Sequence, residues 1–562
     1  MKSRRMLALL LSFSVMVSAG LMGCGKQKDN QTNANLNEKK VVLDKDQYLN
    51  LVLDEPKTLD IARTGDVYCG QVVTEFSEGL TRLEQDENGK DVVKPAGAKS
   101  WEHNDKGTVW KFHLRDYEWS DGKKVTAKDF EYSMKRILDP KTASSIAYLL
   151  SPIKNADEYN SNKVSRDSVG VKALDDKTLQ ITLKEPCPYF LNLTYYKAMY
   201  PQREDIVKKY GEKFGSEPDT MVFSGPFKVT KWTHNHEIVL EKNDKYWDRN
   251  SVKLNKLNFK IIKDSTAQFN TFYSGSIDTF PVGDGKLIDK CRKSGKFDEL
   301  NLAVPTTEFS CFNQKNKIFS NKNVRRAFSM ALNREDITKT IFQGDKPAYA
   351  WIPKSIDLGK KSFREQSGEE PVKILKKDFK AKELLKKGLK ELNMNPDPSK
   401  VTITFLQHGT EQWYRDFAEY VQQMYKKQLG VNVKAEYVNW PVFMDRIDNG
   451  QYDIATMNWT SDYNDPSAMF DIYLSSSNIM PTFWKSKKYD EIVNKARVTL
   501  DEKERLKYYK EAEKILLYDE SVIMPIVYRK GNNFTYKYVK SIMSPLFGYS
   551  EYKYAYTVGR EK

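Results

Sequence analysis

The chain has 562 residues, of which 91 are lysine or arginine and 76 are aspartate or glutamate, so its formal net charge is +15. This length predicts about three structural units, and 40% hydrophobic and 12% aromatic residues are enough to build large cores. The lysines are spread along the chain without a basic cluster or a nucleic-acid motif, which argues against nucleic-acid binding. The positive charge instead suits a place beside anionic lipid and wall polymers.

The N-terminus has the pattern of an export signal. Residues 1–5 are basic, residues 6–23 carry no charge, and Cys24 follows at once. This order predicts a signal peptide over residues 1–23, and "LMGC" at 21–24 resembles a bacterial lipobox, in which the cysteine is acylated. The polar residues after Cys24 predict a flexible tether over 24–47. The alternative is an uncleaved membrane anchor, because the apolar stretch is near the minimum length for a span.

The first clear elements lie near residue 110. Trp110, Phe112 and Leu114 alternate with polar residues, which predicts a half-buried strand. Thr126 and Asp129 then have the spacing of a capping box, which predicts the start of a helix. Strand and helix patterns continue to alternate to the C-terminus, so the sequence predicts an α/β protein.

Later elements follow the same rule. Residues 323–337 have helical periodicity, and Asn333 is expected to break or cap that helix. Strands are predicted at 401–405, 431–438, 451–459 and 521–528, and helices after Asn439 and over 502–518. The motif "WTSDYNDP", residues 459–466, is therefore placed in a loop after a strand, where open α/β sheets tend to bind ligands.

Signals for catalysis are few. There is no G-x-S-x-G elbow, no P-loop, no dinucleotide fingerprint and no H-E-x-x-H pair. His234 and His236 could bind a metal with Glu237, as in a surface peptidase, but a polar hairpin tip explains them as well. The cysteines after Cys24 have no metal-type spacing, and their disulfide pairing stays open: Cys69, Cys187, Cys291 and Cys311.

Residues 98–140 closely resemble the signature region of bacterial extracellular solute-binding proteins of the oligopeptide type, family 5. A tryptophan, a polar turn, an alternating strand ending in Leu-Arg, Ser-Asp-Gly and Thr-Ala-x-Asp-Phe occur there in order. Four further segments resemble the same family in order and spacing, the first of them its early helix: 77–83, 224–232, 241–248 and 312–335. The resemblance covers residues 48–562.

The resemblance implies a periplasmic-binding-protein-like fold of type II, with two lobes joined by a hinge and an inserted third domain. The first lobe would comprise residues 48–68, 200–303 and 520–562. The inserted domain would comprise 69–199, and the second lobe 304–519.

The same resemblance implies a ligand site. Asp462 holds the position that receives the α-ammonium group of a peptide, with Trp459 and Tyr463 beside it. Asp465 is assigned to the turn before Pro466. The strand expected to pair with the ligand main chain is residues 55–58: Glu55, Pro56, Lys57 and Thr58. The alternatives are that Trp459 is only a core residue and that Asp462 only forms a turn.

The implied function is that of a monomeric, lipid-anchored protein on the extracellular face of a bacterial cell membrane. It would capture oligopeptides and deliver them to the permease subunits of an ABC transporter, with no catalysis, cofactor or metal. Relatives of the same fold that bind dipeptides, oligosaccharides or a nickel complex are the alternatives.

Overall fold

The computed structural model describes residues 42–87, 89–409, 412–477, 479–480 and 482–560; the predicted signal peptide, Cys24 and most of the tether lie outside these residues. The β-strands are β1 (Tyr48–Leu53), β2 (Thr81–Gln85), β3 (Asp91–Pro95), β4 (Ala98–His103), β5 (Val109–Leu114), β6 (Val171–Ala173), β7 (Thr178–Thr182), β8 (Phe227–Thr233), β9 (Glu237–Lys242), β10 (Lys256–Ile261), β11 (Thr279–Pro281), β12 (Phe297–Phe312), β13 (Lys346–Pro347), β14 (Asp357–Leu358), β15 (Lys361–Ser362), β16 (Thr402–His408), β17 (Asn432–Val438), β18 (Ile454–Thr460), β19 (Ile523–Tyr536), β20 (Val539–Lys540) and β21 (Tyr556–Thr557). The α-helices are α1 (Val67–Phe76), α2 (Ala127–Ile137), α3 (Ala156–Asn160), α4 (Glu204–Tyr210), α5 (Ser265–Tyr273), α6 (Gly285–Ser294), α7 (Lys322–Ala331), α8 (Arg334–Thr340), α9 (Phe363–Ser367), α10 (Pro371–Asp378), α11 (Ala381–Glu391), α12 (Gln412–Gln428), α13 (Trp440–Asp448), α14 (Ser467–Phe470), α15 (Lys487–Val498) and α16 (Glu502–Lys514).

Two long antiparallel strands, β12 and β19, join two separate hydrophobic cores. They belong to a sheet with strand order β11-β19-β12-β18-β16-β17, and β13 also pairs with β19. At one end of the pair, Phe297 and Phe534 pack into a cluster with α5 and α6. At the other end, Phe309 and Phe312 belong to the two clusters around β16 and β18. The predicted α/β class and its two-lobed arrangement are confirmed.

The core of the first lobe is built on the four-stranded sheet β1-β10-β9-β8. Leu49, Leu51 and Leu53 alternate along β1 and point into this core, as the two-residue period of a strand requires. Helix α1 packs into the same cluster from Cys69 to Phe76. Residues 69–76, which were predicted to begin the inserted domain, thus share a core with the first sheet, and the domain limits stay predictions.

A second four-stranded sheet, β4-β5-β7-β6, lies within the predicted inserted domain. Trp110, Phe112 and Leu114 are buried on one face of β5, which confirms the half-buried strand. Thr126 and Asp129 form the predicted capping box at the start of α2. Because this box satisfies main-chain N–H groups that a helix start leaves unpaired, α2 begins at Ala127 and covers β6 and β7.

Three strands of the second lobe bring their carboxyl ends to one edge. β16 lies between β18 and β17 and runs parallel to both. Each strand is followed by a loop and a helix, namely α12, α13 and α14. The amide oxygen of Asn439 accepts a hydrogen bond from Val442 N at 3.1 Å and caps α13, and Asn333 caps α8 in the same way. This edge carries the predicted ligand loop.

Three expectations from the sequence are wrong in detail. Residues 77–83 are not a helix: they form a turn and the start of β2, because the helix that packs on the first sheet ends at Phe76. Trp459 lies within β18 and not in the loop after it. The strand predicted over 521–528 does not end at Tyr528 but continues to Tyr536. Its pairing with β12 and β11 continues there through half-buried polar residues.

The cysteines in the described part of the chain are buried free thiols, so none of them pairs with another: Cys69, Cys187, Cys291 and Cys311. Over the same residues, no helix combines the length and the apolar character that a membrane span requires.

Candidate functional site

Asp462 lies two residues after the end of β18, in a loop held by its own hydrogen bonds. Ser461 Oγ donates to the carbonyl of Tyr463 over 2.7 Å, and the main-chain N–H of Asp465 donates to the same carbonyl over 2.8 Å. These bonds close a tight turn at the carboxyl edge of the sheet. Trp459, Asp462 and Tyr463 are thereby brought into the wall of one cavity.

This cavity has a volume of about 280 Å³ and lies where the second lobe meets the predicted inserted domain. One wall comes from residues that precede β8. The other comes from the end of β18, the loop after it and the segment that follows α14. The wall from the predicted inserted domain includes Tyr148, Leu149, Tyr189 and Leu193, and the opposite wall includes Trp459, Asp462, Ile472 and Leu474. The cavity is large enough for an amino-acid side chain.

Side chains of the predicted inserted domain hold the Asp462 loop from across this boundary. The hydroxyl of Tyr148 donates to Asp462 Oδ2 over 3.2 Å. The hydroxyl of Tyr196 donates to the main-chain carbonyl of Asp462, and Asn192 Nδ2 donates to the carbonyl of Asn464 over 2.9 Å. The position of the carboxylate therefore depends on both parts of the structure.

The carboxylate of Asp462 has no cationic partner among the residues that the structure describes. It is half-buried, and the Tyr148 hydroxyl is the side chain that stabilises its charge. Burial raises the pKa of Asp462 to about 6, and the hydrogen bond from Tyr148 lowers it only in part. A ligand that brings a positive charge into the cavity would stabilise the charged form of this carboxylate.

Trp459 and Tyr463 are fixed by packing on either side of Asp462. The indole Nε1 of Trp459 donates to the carbonyl of Ala468 over 3.1 Å, so the ring is anchored while it lines the cavity. The ring of Tyr463 stacks on Tyr189 with centroids 5.0 Å apart and is almost completely buried. Both rings line the same cavity as the carboxylate.

Asp465 is more than a turn residue. Its side chain accepts from the main-chain N–H of Ser467 over 2.9 Å. It also forms a two-bond ion pair with Arg505, Nη1 to Oδ2 and Nη2 to Oδ1, both 2.9 Å long. Both side chains are almost completely buried. The sequence motif showed the turn but could not show a partner 40 residues away.

Residues 55–58 do not line the Asp462 cavity. The carboxylate of Glu55 accepts from Trp232 Nε1 over 3.2 Å, pairs with His234 Nδ1 over 2.8 Å and accepts from the main-chain N–H of Asn235. The hydroxyl of Thr58 donates to the carbonyl of Gly215 over 3.1 Å. Of the remaining two, Pro56 is buried and Lys57 is exposed. The contacts of Glu55 attach the segment after β1 to the β8–β9 hairpin, and the ligand-binding role of residues 55–58 stays a prediction.

His234 and His236 do not form a metal-type cluster. Nδ1 of His234 faces Glu55, and its Nε2 faces Glu217 Oε1 over 3.1 Å. Across the described residues, no group of three histidine, cysteine, aspartate or glutamate side chains is arranged to hold a metal ion. His234 therefore belongs to the polar hairpin tip.

The sequence did not reveal that a first-lobe segment contacts the predicted inserted domain. A Cβ at Gly65 would lie 2.8 Å from Ser145 Oγ, and a Cβ at Gly70 would lie 2.1 Å from the ring of Tyr549. Lys197 Nζ donates to the carbonyl of Asp66 over 2.9 Å. Gly65 thus permits a close approach between the first lobe and the predicted inserted domain, and Gly70 permits α1 to pack against Tyr549 within the first lobe. Their role depends on partners far away in the chain, which no local pattern shows.

Comparison with known proteins gives consistent results. Residues 92–481 match the family model described as bacterial extracellular solute-binding proteins, family 5 Middle. The dipeptide-binding protein DppE of Bacillus subtilis is 34% identical over 553 residues, which cover 98% of this chain and 97% of that protein. The substrate-binding domain of an oligopeptide ABC transporter from Bacillus anthracis is 32% identical, with a TM-score of 0.76, over 92% of this chain and 99% of that chain. Listeria monocytogenes OppA bound to peptide is 30% identical, with a TM-score of 0.74, over the same shares.

Proposed function

The chain belongs to the bacterial extracellular solute-binding proteins of family 5, and from this premise we propose that it captures oligopeptides between its two lobes and delivers them to the permease subunits of an ABC importer. The family consists of binding proteins and not of enzymes. The observation that carries the proposal is the half-buried Asp462 carboxylate, which faces a cavity without a cationic partner among the described residues.

The chemistry of a peptide N-terminus fits this carboxylate. Every free peptide carries an α-ammonium group whatever its side chains are, so a single carboxylate recognises the whole class. A hydrogen bond between two charged groups contributes roughly 1.5–3 kcal/mol. Trp459 and Tyr463 exclude water from this bond and thereby strengthen it. The rest of an extended peptide would bind through its main chain, as an added strand does.

We further propose that the first-lobe main chain for this pairing is residues 63–66, in place of residues 55–58. The carbonyl of Asp66 is held by Lys197, and Gly65 packs against Ser145, three residues before Tyr148. Tyr148 in turn contacts Asp462. A short series of contacts therefore connects residues 63–66 to Asp462, and residues 55–58 have no such series.

Binding should depend on pH in a way that identifies Asp462. Its folded-state pKa is raised to about 6, so the carboxylate is charged above that pH and loses its charge below it. A peptide α-ammonium loses its proton near pH ~8. Affinity for a free peptide should therefore be highest between these two values. Titration calorimetry from pH 4.5 to 9 measures this affinity. If another group held the ammonium, the affinity would not fall below pH 6.

A mixed peptide pool tests the proposed function. Purified protein, washed free of its own ligands, is incubated with the pool, recovered and extracted, and the masses of the extracted peptides are read. Intact peptides bound at stoichiometric amounts are the expected result. Cleavage products that disappear with a chelator would support the surface peptidase instead, and recovery of sugar or nickel in place of peptide would reassign the ligand.

We also propose that Cys24 anchors the protein to the outer face of the cell membrane. The support is the "LMGC" motif and the polar residues that follow it. Cys24→Ala should release the protein into the culture medium, because a single cysteine carries the acyl chains. Ser18→Ala, in the same predicted signal peptide, is the control and should leave the protein in the membrane fraction. If Cys24→Ala stays as firmly bound as the parent, the apolar stretch is an uncleaved anchor.

A further inference from the structure

A row of polar side chains lies next to the Asp462 loop, on the face of the sheet that α12 covers. Strands β12 and β18 place Glu308 opposite Asn458 and Ser310 opposite Thr456. Residues that face each other across antiparallel strands share one face of the sheet. The hydroxyls of Ser310 and Thr456 are 2.8 Å apart, which confirms this for one pair. The parallel strand β16 then places Gln407 beside Thr456, one step beyond the pairing of Leu406 with Ala455.

Gln407 is completely buried, yet neither its Oε1 nor its Nε2 has a hydrogen-bond partner among the described residues. Buried amide groups in native structures almost always have a partner. A side chain that is buried without one indicates that a polar group from outside this part of the chain completes the site.

Glu308, two residues along β12 from Ser310, is also almost completely buried. Its nearest cation is Arg529, whose Nη1 lies 3.9 Å from Glu308 Oε2. The same guanidinium pairs more closely with Asp345, at 3.3 Å between Nε and Oδ2. The Arg529 guanidinium therefore lies closer to Asp345, which Lys530 also approaches, than to Glu308. Burial raises the pKa of Glu308 to about 7. Among the described residues, no cation lies within hydrogen-bonding distance of the Glu308 carboxylate.

This polar row reaches the protein surface at Asn458, next to the Asp462 loop. Asn458, which contacts Glu308, is exposed and directly precedes Trp459. Phe342 lies under Arg529, 5.0 Å from the guanidinium carbon to the ring centroid. It also contacts the partly exposed ring of Trp413, with centroids 5.7 Å apart. Two aromatic rings thus pack beside the guanidinium that is nearest to Glu308.

We propose that Glu308, Gln407 and Asn458 form a second subsite of the cleft, which takes a cationic side chain of a bound peptide, lysine or arginine. This rests on the proposed function, since the peptide that fills the subsite is held at its N-terminus by Asp462. An ammonium group has three N–H donors and a guanidinium five. The carboxylate of Glu308 and the amide oxygens of Gln407 and Asn458 are acceptors for them.

Matched peptides test the subsite. One series of pentaalanine peptides carries a single lysine at position 2, 3, 4 or 5, and the second series carries norleucine at the same position. Titration calorimetry with the parent should show lysine favoured at one position by about tenfold to a hundredfold, as expected for a hydrogen-bonded ion pair. Glu308→Gln should remove this preference. Glu436→Gln, which removes a carboxylate from β17 of the same sheet, should keep it.

Gln407→Leu provides a second measurement that does not rely on Glu308. It removes a buried amide without a partner, so it should raise the thermal midpoint of the free protein and reduce the preference for lysine. Equal affinities for lysine and norleucine at every position would overturn the subsite while leaving peptide binding intact. The subsite would also be overturned if the Glu308→Gln variant still preferred lysine to norleucine. If neither series binds the parent, the proposed function fails together with the subsite.

Discussion

Asp462→Asn should weaken the binding of a free peptide by roughly 3–5 kcal/mol, because a buried ammonium group is left without its charge partner. The loss should exceed the contribution of the hydrogen bond itself. Tyr148 and Tyr196 still hold the loop in the variant, since one donates to the side-chain oxygen that asparagine retains and the other to the main chain. Titration calorimetry of the parent and the variant with one peptide measures the change.

An N-acetylated form of the same peptide completes the experiment. It lacks the charge, so it should bind the parent poorly and lose far less than the free peptide on going to Asp462→Asn. This difference between the two losses separates a direct contact from general damage to the loop. Asp448→Asn, an exposed carboxylate in α13 of the same lobe, is the charge-matched control and should leave both affinities unchanged. Equal losses for free and acetylated peptide at Asp462→Asn would show that this motif is only a turn.

Asp465→Asn should destabilise the folded protein by about 3–5 kcal/mol, because it leaves the Arg505 guanidinium buried without its counter-charge. The pair has two hydrogen bonds of 2.9 Å, and 3% and 6% of the two side chains remain exposed. Solvent cannot replace the lost partner at this depth. Urea unfolding at pH 7, followed by tryptophan fluorescence, measures the loss.

A double variant and a surface pair test the cause of that loss. Asp465→Asn combined with Arg505→Leu should be less destabilised than the sum of the two single variants, because no charge is left alone. Glu511→Gln removes a partner of Lys488 at 2.8 Å, but both side chains are exposed, so its cost should be far smaller. Similar losses for Asp465→Asn and Glu511→Gln would mean that the Asp465–Arg505 pair is screened by water.

The sequence alone determined the local elements of this protein. The alternation of Trp110, Phe112 and Leu114 predicted β5, and the spacing of Thr126 and Asp129 predicted the start of α2. These signals are reliable because burial period and capping act between residues only two to four positions apart. The family resemblance added the two-lobed fold, which the relatives and the sheet order confirm.

Only the tertiary structure decided which of the predicted site residues meet. It brought Trp459, Asp462 and Tyr463 into one cavity, attached Glu55 to the β8–β9 hairpin, and joined Asp465 to Arg505. Tyr148, whose hydroxyl reaches Asp462, precedes it by 314 residues. A pairing across that distance depends on how separate cores pack, and packing leaves no periodic trace in the chain. The sequence therefore determined that a turn follows β18, and the fold determined that Asp465 is paired there while Asp462 has no cationic partner among the described residues.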